Sequence, residues 1–221
     1  MNELIEKLGL CIERGKINKA SPYPADMKEL EGADELSAQA LSEGISSDLV
    51  LSTCNEGMKR IGERFGRGEV FIPELLMSAK AMNAVMEHLK PYFQSGNVKT
   101  KGKFVIGTVL GDLHDIGKNI VSMVVAGNGW EVIDLGVDVK TARFVEAVKQ
   151  NPGCIVGLSA LLTTTMANMS KTVNEIKSNF PGTKIIVGGA PLNNERAKEM
   201  GADGYSPGPQ GAVEFLNNHY N

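Results

Sequence analysis

Hydrophobic positions along the chain keep a helical period up to about Phe93 and lose it afterwards. Leu51, Cys54, Met58, Ile61 and Phe65 step by three and four, and Leu75, Ala79, Met82, Met86, Leu89 and Phe93 do the same. Leu4, Leu8 and Cys11 or Ile12 predict an earlier helix, and Asp34 to Leu41 another, with a loop at Pro22-Tyr23-Pro24 between them. Pro73-Glu74 suits a helix start, with the proline at the first helical position and an acid near the positive end of the dipole. Helices with one apolar face each need partners, so the pattern predicts a small four-helix bundle.

Gln94 to Gly102 is polar and glycine-containing and reads as a linker. From there strand and helix alternate. Predicted strands are Lys103 to Val109, Glu131 to Leu135, Cys154 to Ser159 and Lys184 to Val187, with a weak fifth near Gly204-Tyr205. Predicted helices are Lys118 to Ala126, Thr141 to Lys149, Met166 to Asn179, Glu195 to Met200 and Gln210 to Asn217. Apolar strands without alternation, separated by helices, predict a parallel α/β sheet with right-handed connections. Five strands fit the flavodoxin-like, Rossmann-like order 2-1-3-4-5. The organisation expected is thus a helical domain over 1–93, a linker over 94–102 and an α/β domain over 103–221.

The 221 residues suffice for one large domain or two small ones. A net charge of -3 with mixed signs lacks the basic stripe that nucleic acid requires. No run approaches the ~18 apolar residues of a membrane span. The amphipathic start Met1 to Lys7 lacks a secretory pattern. Cys11, Cys54 and Cys154 are too far apart for a paired-thiol motif, which argues against structural zinc and a disulfide framework and for a reduced, cytoplasmic setting.

Candidate chemistry gathers where the first strand ends, in Gly111-Asp112-Leu113-His114-Asp115-Ile116-Gly117. A histidine flanked by carboxylates and bracketed by glycines can present nitrogen to a metal, with Asp112 orienting the imidazole. Ligands in such sheets sit at the strands' carboxyl ends, at the switch between strands one and three. The third strand ends in Ser159-Ala160-Leu161-Leu162-Thr163-Thr164-Thr165, the fourth in Gly188-Gly189-Ala190, the fifth in Tyr205-Ser206-Pro207-Gly208. Small and hydroxylic residues on one edge suit a long ligand lying against bare backbone.

Blander readings exist for each part. A lone loop histidine more often caps a helix, the threonine run can be an N-cap, and Gly188-Gly189 can be a plain turn. Phe65, Ile72 and Leu75 are ordinarily bundle core. His88, in a helix, and His219, in the tail, lack functional context. A phosphate loop over Gly111 to Lys118 is one residue too long between its glycines, and Asn119 replaces the required Ser or Thr. A hydrolytic zinc or iron site on Asp112, His114 and Asp115 is short of convergent ligands.

Taken together, these residues resemble the corrinoid (vitamin B12) proteins of the methyltransferase family. Asp112 to Gly117 matches an Asp-x-His-x-x-Gly signature, Ser159 to Leu161 a Ser-x-Leu signature and Gly188-Gly189 a Gly-Gly signature. Glu56-Gly57-Met58 and Gly62 to Glu74 resemble the helical cap that precedes such a domain. The resemblance implies cobalamin or a related corrinoid, methylcobalamin in the loaded state, with His114 replacing the cofactor's benzimidazole as lower cobalt ligand. It places the displaced tail in a slot lined by Ser159, Leu161, Thr163 and Gly188-Gly189, and sets Asp112 on the other imidazole nitrogen. Thr165 stands where the related methionine synthase module has serine. Phe65, Ile72 and Leu75 would cover the upper face, and the linker would act as a hinge.

The implied role is a methyl carrier between a substrate-specific methyltransferase and a second one that delivers to a folate or thiol, with a reductive activase as third partner. The chain is too short for the ~250-residue barrel that usually supplies the donor chemistry. A B12-dependent sensor is the alternative, though the basic recognition helix it would use is not evident. A small metal hydrolase is a weaker third.

Overall fold

The computed structural model describes residues 3–94 and 100–219. Residues 95–99, which make up most of the expected linker, lie outside the described residues. The chain separates into two compact units, Met1–Thr100 with Ala126–Gly129, and Lys101–Val125 with Trp130–Asn221.

The first unit is built on α1 (Glu3–Arg14), α2 (Ala33–Ser42), α3 (Ser47–Gly66) and α4 (Ile72–Gln94). Their apolar stripes meet in a core that includes Leu8, Ile12, Leu36, Val50, Met58, Ile61, Leu75, Met82 and Leu89, all buried. Close approach of α1 and α3 depends on Gly57, where a Cβ would come 2.7 Å from the Gly9 carbonyl oxygen and 2.9 Å from Ile12 Cβ. The Ser46 hydroxyl caps α3 by accepting from the Leu49 N–H at 3.3 Å. For α4 the expected start moves by one residue. Phe71 is the cap, its N–H donating to Glu74 Oε2 at 3.0 Å, so Pro73 stands second in the helix. The proline is still harmless there, because the N–H it lacks has no intrahelical acceptor in the first turn. Between α1 and α2 the predicted loop contains a 3-10 turn, Ala25–Met27. Lys16 is fully buried beneath it, with Nζ donating to the Ser21 carbonyl at 2.8 Å.

The second unit alternates β1 (Lys103–Thr108), α5 (Ile116–Gly127), β2 (Glu131–Asp134), α6 (Thr141–Gln150), β3 (Ile155–Ser159), α7 (Met166–Asn179), β4 (Ile185–Gly188), α8 (Asn194–Glu199), β5 (Gly204–Tyr205) and α9 (Pro209–His219). The strands form one parallel sheet in the order β2-β1-β3-β4-β5, as the apolar runs predict. Two strand glycines make room for aromatic rings. A Cβ at Gly157 would lie 2.4 Å from Phe104 Cζ, and one at Gly107 2.8 Å from Phe144 Cζ. Phe144 on α6 is fully buried among Val105, Val109, Ala147, Val156 and Leu158. The register aligns Thr108, Ser159 and Gly188 across three neighbouring strands, so one row of small residues crosses the carboxyl edge.

Truncating Phe144 to Ala leaves a cavity beside Gly107 that the flanking strands cannot fill. Urea denaturation is expected to register a loss of about 3–5 kcal/mol, and a loss well under 1 kcal/mol would show that the ring does not hold α6 on the sheet.

Candidate functional site

Past β1 the chain bridges once to Val139 through Val109 and then turns at Gly111, whose φ of +85° favours glycine. This turn delivers Asp112 inward and His114 outward. Asp112 has no exposed surface, whereas the His114 side chain is 52% exposed.

One carboxylate gathers the whole arrangement. Asp112 Oδ1 accepts the His114 N–H at 3.0 Å and lies 2.7 Å from His114 Nδ1. Asp112 Oδ2 accepts the Leu161 N–H at 2.7 Å, the Leu162 N–H at 3.1 Å and the Thr165 hydroxyl at 3.3 Å. Burial alone would raise the carboxyl's pKa. The backbone N–H groups of His114 and Leu161, the His114 ring and the Leu162 N–H outweigh it and bring the value down to about 2. Asp112 is therefore ionised near neutral pH and can only accept, so Nδ1 carries the ring proton and Nε2 is the nitrogen left for a ligand. The backbone of His114 is pinned as well, because the buried Thr108 hydroxyl donates to its carbonyl at 2.9 Å.

The other flanking acid has a different job. Asp115 Oδ2 accepts from Asn119 Nδ2 at 3.0 Å, and its carbonyl takes the Asn119 N–H at 2.7 Å, which starts α5. Lys118, almost fully buried, bonds Asp134 and reaches Asn119 Oδ1 at 2.6 Å. The three-ligand zinc or iron expectation lacks its ligand set. Asp112 is filled by donors, Asp115 is turned to Asn119, and among the described residues no three His, Cys, Asp or Glu side chains are placed to hold a metal ion.

A cofactor that brings its own equatorial ligands would ask of the protein no more than one imidazole nitrogen and apolar surroundings. The residues fit that requirement. Leu113, Ile116, Leu161 and Leu162 are exposed at 72%, 75%, 45% and 39% on the two loops that Asp112 joins. Large side chains held out in this way are the surface expected to be covered by an apolar ring.

Comparison with known proteins gives the same answer. A B12-binding domain model matches residues 102–214, and a second B12-binding domain model matches residues 29–90. The chain belongs to the corrinoid-protein family. It is 39% identical over 202 residues to the trimethylamine corrinoid protein of Methanosarcina barkeri, spanning 89% of this chain and 93% of that one. It is 39% identical over 189 residues to a corrinoid protein of Desulfitobacterium hafniense, with 83% and 88% covered. A crystal structure of a cobalamin-binding protein from Desulfitobacterium hafniense matches with a TM-score of 0.76 at 31% identity, covering 98% of both chains. The methanol:cobalamin methyltransferase complex of Methanosarcina barkeri matches with a TM-score of 0.80 at 29% identity, covering 98% of this chain and 79% of that one.

This corrinoid protein of a methyltransferase system thus binds cobalamin or a related corrinoid, and its sequence-predicted residues sort by position. Asp112, His114, Leu161 and Thr165 meet directly through hydrogen bonds. Leu113 extends that loop outward, and Ile116 and Gly117 open α5 after it, where a Cβ at Gly117 would have nothing within 4 Å. Ser159 and Gly188 stand beside them in the strand register, and Thr163 is exposed in a 3-10 turn, Thr163–Thr165. Thr165 does stand at the N-cap of α7, as the blander reading has it. The Thr165 hydroxyl makes no cap bond to α7 and donates to the Leu162 carbonyl at 2.9 Å as well as facing Asp112. Gly189 is required by the fold itself, since a Cβ there would fall 1.8 Å from the Ala160 carbonyl oxygen. Tyr205 is half-buried at the end of β5. In the helical unit Phe65 is half-buried, Ile72 is 42% exposed and Leu75 is wholly interior. His88 is 2.7 Å from Asp34, and His219 Nδ1 is 2.8 Å from the Phe215 carbonyl, so both have structural partners. Sequence reasoning did not find Thr108 or Leu162 as site residues. Thr108 lies near the end of a predicted strand, which is the signal that could have found it, whereas Leu162 acts through its main-chain N–H and carries no such signal.

The depressed carboxyl makes a pH prediction with a definite sign. Asp112 stabilises the fold fully above its unfolded pKa near 4, and that contribution, about 2 kcal/mol, fades as pH falls toward 2. The stability gap between wild type and Asp112→Asn should therefore shrink by about 2 kcal/mol on acidification across that window. Urea titrations at a series of pH values check this, and a gap independent of pH would contradict it.

Proposed function

We propose that this protein is a methyl carrier that holds its corrinoid with the cofactor's benzimidazole displaced and His114 Nε2 as the lower cobalt ligand. The observation that carries the reading is the pairing of a half-exposed imidazole with a fully buried, ionised carboxylate 2.7 Å from its Nδ1. A bound corrinoid supplies a cobalt centre able to accept and release a methyl group. The chain's own residues then control the axial position. Asp112 fixes the ring's tautomer and orientation while Nε2 is bound. With Asp112 ionised and acceptor-only, the Nδ1 proton would stay directed at the carboxylate, leaving Nε2 as the nitrogen that would hold the cofactor.

Ser159, Thr163, Gly188, Gly189 and Tyr205 are proposed to line the path of the displaced tail along the carboxyl edge of β3, β4 and β5. The helical domain, residues 1–93, is proposed to cover the methyl-bearing face with Phe65 and Ile72, and Leu75 supports them from within the helical core. The partner half of the reading rests on relatives. One is named a trimethylamine corrinoid protein, another a dimethylamine corrinoid protein, and a solved neighbour belongs to a methanol:cobalamin methyltransferase complex. By that likeness one methyltransferase loads the carrier from a small methylated amine or alcohol, a second unloads it to a folate or thiol, and a reductive activase restores oxidised cofactor.

Hydroxocobalamin reconstitution followed by desalting and absorbance spectroscopy tests the ligation. Wild type is expected to retain corrin with a histidine-ligated spectrum, and His114→Ala to bind at least about tenfold more weakly or with an altered axial spectrum. Equal retention with an identical spectrum in the variant would overturn the assignment of His114.

A further inference from the structure

The connection from β2 to α6 bears on the histidine loop from the side opposite Leu161 and Leu162. Asp138, within it, has a φ of +54°, a left-handed backbone uncommon outside glycine. Aspartate tolerates it better than most residues, but at a cost, and such residues persist where surrounding bonds over-determine them. Here the bonds are reciprocal. The Asp138 N–H donates to the Asp112 carbonyl at 3.0 Å, and Asp138 Oδ1 accepts the Gly111 N–H at 2.7 Å. The neighbouring backbone closes the same seam. The Thr108 N–H donates to the Gly136 carbonyl at 3.0 Å, and the Val139 N–H to the Thr108 carbonyl at 2.9 Å.

Asp112 is therefore held twice, by its carboxylate toward β3 and by its main chain toward β2. Gly111 is fixed between the two, facing the Asp138 carboxylate on one side and the Thr165 methyl on the other, 3.4 Å from where its Cβ would be. Without the Asp138 carboxylate the cage around Asp112 persists, but the Gly111 N–H loses its acceptor, the main chain leading into Asp112 keeps only the residue-138 N–H as its anchor on this side, and the ring can tilt. We propose that Asp138 is a positioning residue for the axial ligand, setting the direction in which Asp112 presents His114 to the corrinoid. This rests on the ligation reading above, although the clamp itself can be judged without any cofactor.

The test compares Asp138→Ala, Asp138→Gly and Asp138→Asn with wild type. Glycine relaxes the backbone but deletes the acceptor, and asparagine keeps an acceptor and tolerates the left-handed backbone. In the cofactor-free protein, amide exchange at Gly111 should accelerate by about tenfold in the alanine and glycine variants and stay near wild type in the asparagine variant. With hydroxocobalamin, the same two variants should show a smaller histidine-ligated fraction in protein that remains folded, and asparagine should restore it. Unchanged exchange at Gly111 in the alanine and glycine variants would overturn the clamp. Faster exchange with an unaltered ligated fraction would overturn its role toward the ligand. Failure of wild type itself to retain corrin would sink the ligation reading and with it that role.

Discussion

A single buried carboxylate organises the functional end of the α/β unit. Asp112 sits between β1 and β3, and its two oxygens are shared between the loop that follows each strand. Burying a charge is costly unless donors surround it. The donors here are mostly backbone N–H groups, which cannot swing away as side chains can. Fold stability and ligand geometry are thus coupled through one group: the bonds that make the charge tolerable are the bonds that orient the imidazole. Loosening the histidine would mean exposing or neutralising the carboxylate.

The position of that group follows from topology. In a parallel sheet ordered 2-1-3-4-5 the connections leaving β1 and β3 run to opposite faces, so their loops diverge and leave a crevice between them. Asp112 is buried where the segments following β1 and β3 meet, and Leu113, Ile116, Leu161 and Leu162 on those segments stand exposed. The sheet needs tight packing below to keep the edge rigid. Phe104 and Phe144 provide it, each fitting over a strand glycine where any side chain would collide. Sequence positions that look like weak strand residues, Gly107 and Gly157, are therefore complementary to aromatic core residues.

Much of this was legible in the sequence for reasons that can be named. Parallel strands buried on both faces appear as unbroken apolar runs, so β1, β3 and β4 stood out, and the switch-point rule then pointed to their carboxyl ends. The Asp-x-His spacing brought carboxylate and imidazole into the same turn. What stayed hidden depends on backbone hydrogen bonds, which leave no residue-type signature. Leu161 and Leu162 bond Asp112 through main-chain N–H groups, so their contribution to the charge cage could not be read from leucine. Asp138 was missed because its role lies in a left-handed backbone at the end of β2, the one strand end the reading by small and hydroxylic residues had passed over. Gly189 has a second reason to be glycine that the sequence does not reveal, since a Cβ there would collide with the Ala160 carbonyl.

The central claim is that the imidazole seated on Asp112 is what the cobalt meets. It is tested most directly by electron paramagnetic resonance of the protein loaded with cob(II)alamin, prepared once with ordinary histidine and once with nitrogen-15-labelled histidine. An axial nitrogen splits the cobalt signal in a pattern set by its nuclear spin. If His114 is the lower ligand, the splitting changes with the isotope in the protein's histidine and loses that dependence in His114→Ala. A splitting that ignores the histidine label would mean that the cofactor's own base, or no nitrogen of the protein, occupies the axial position, and would contradict the account.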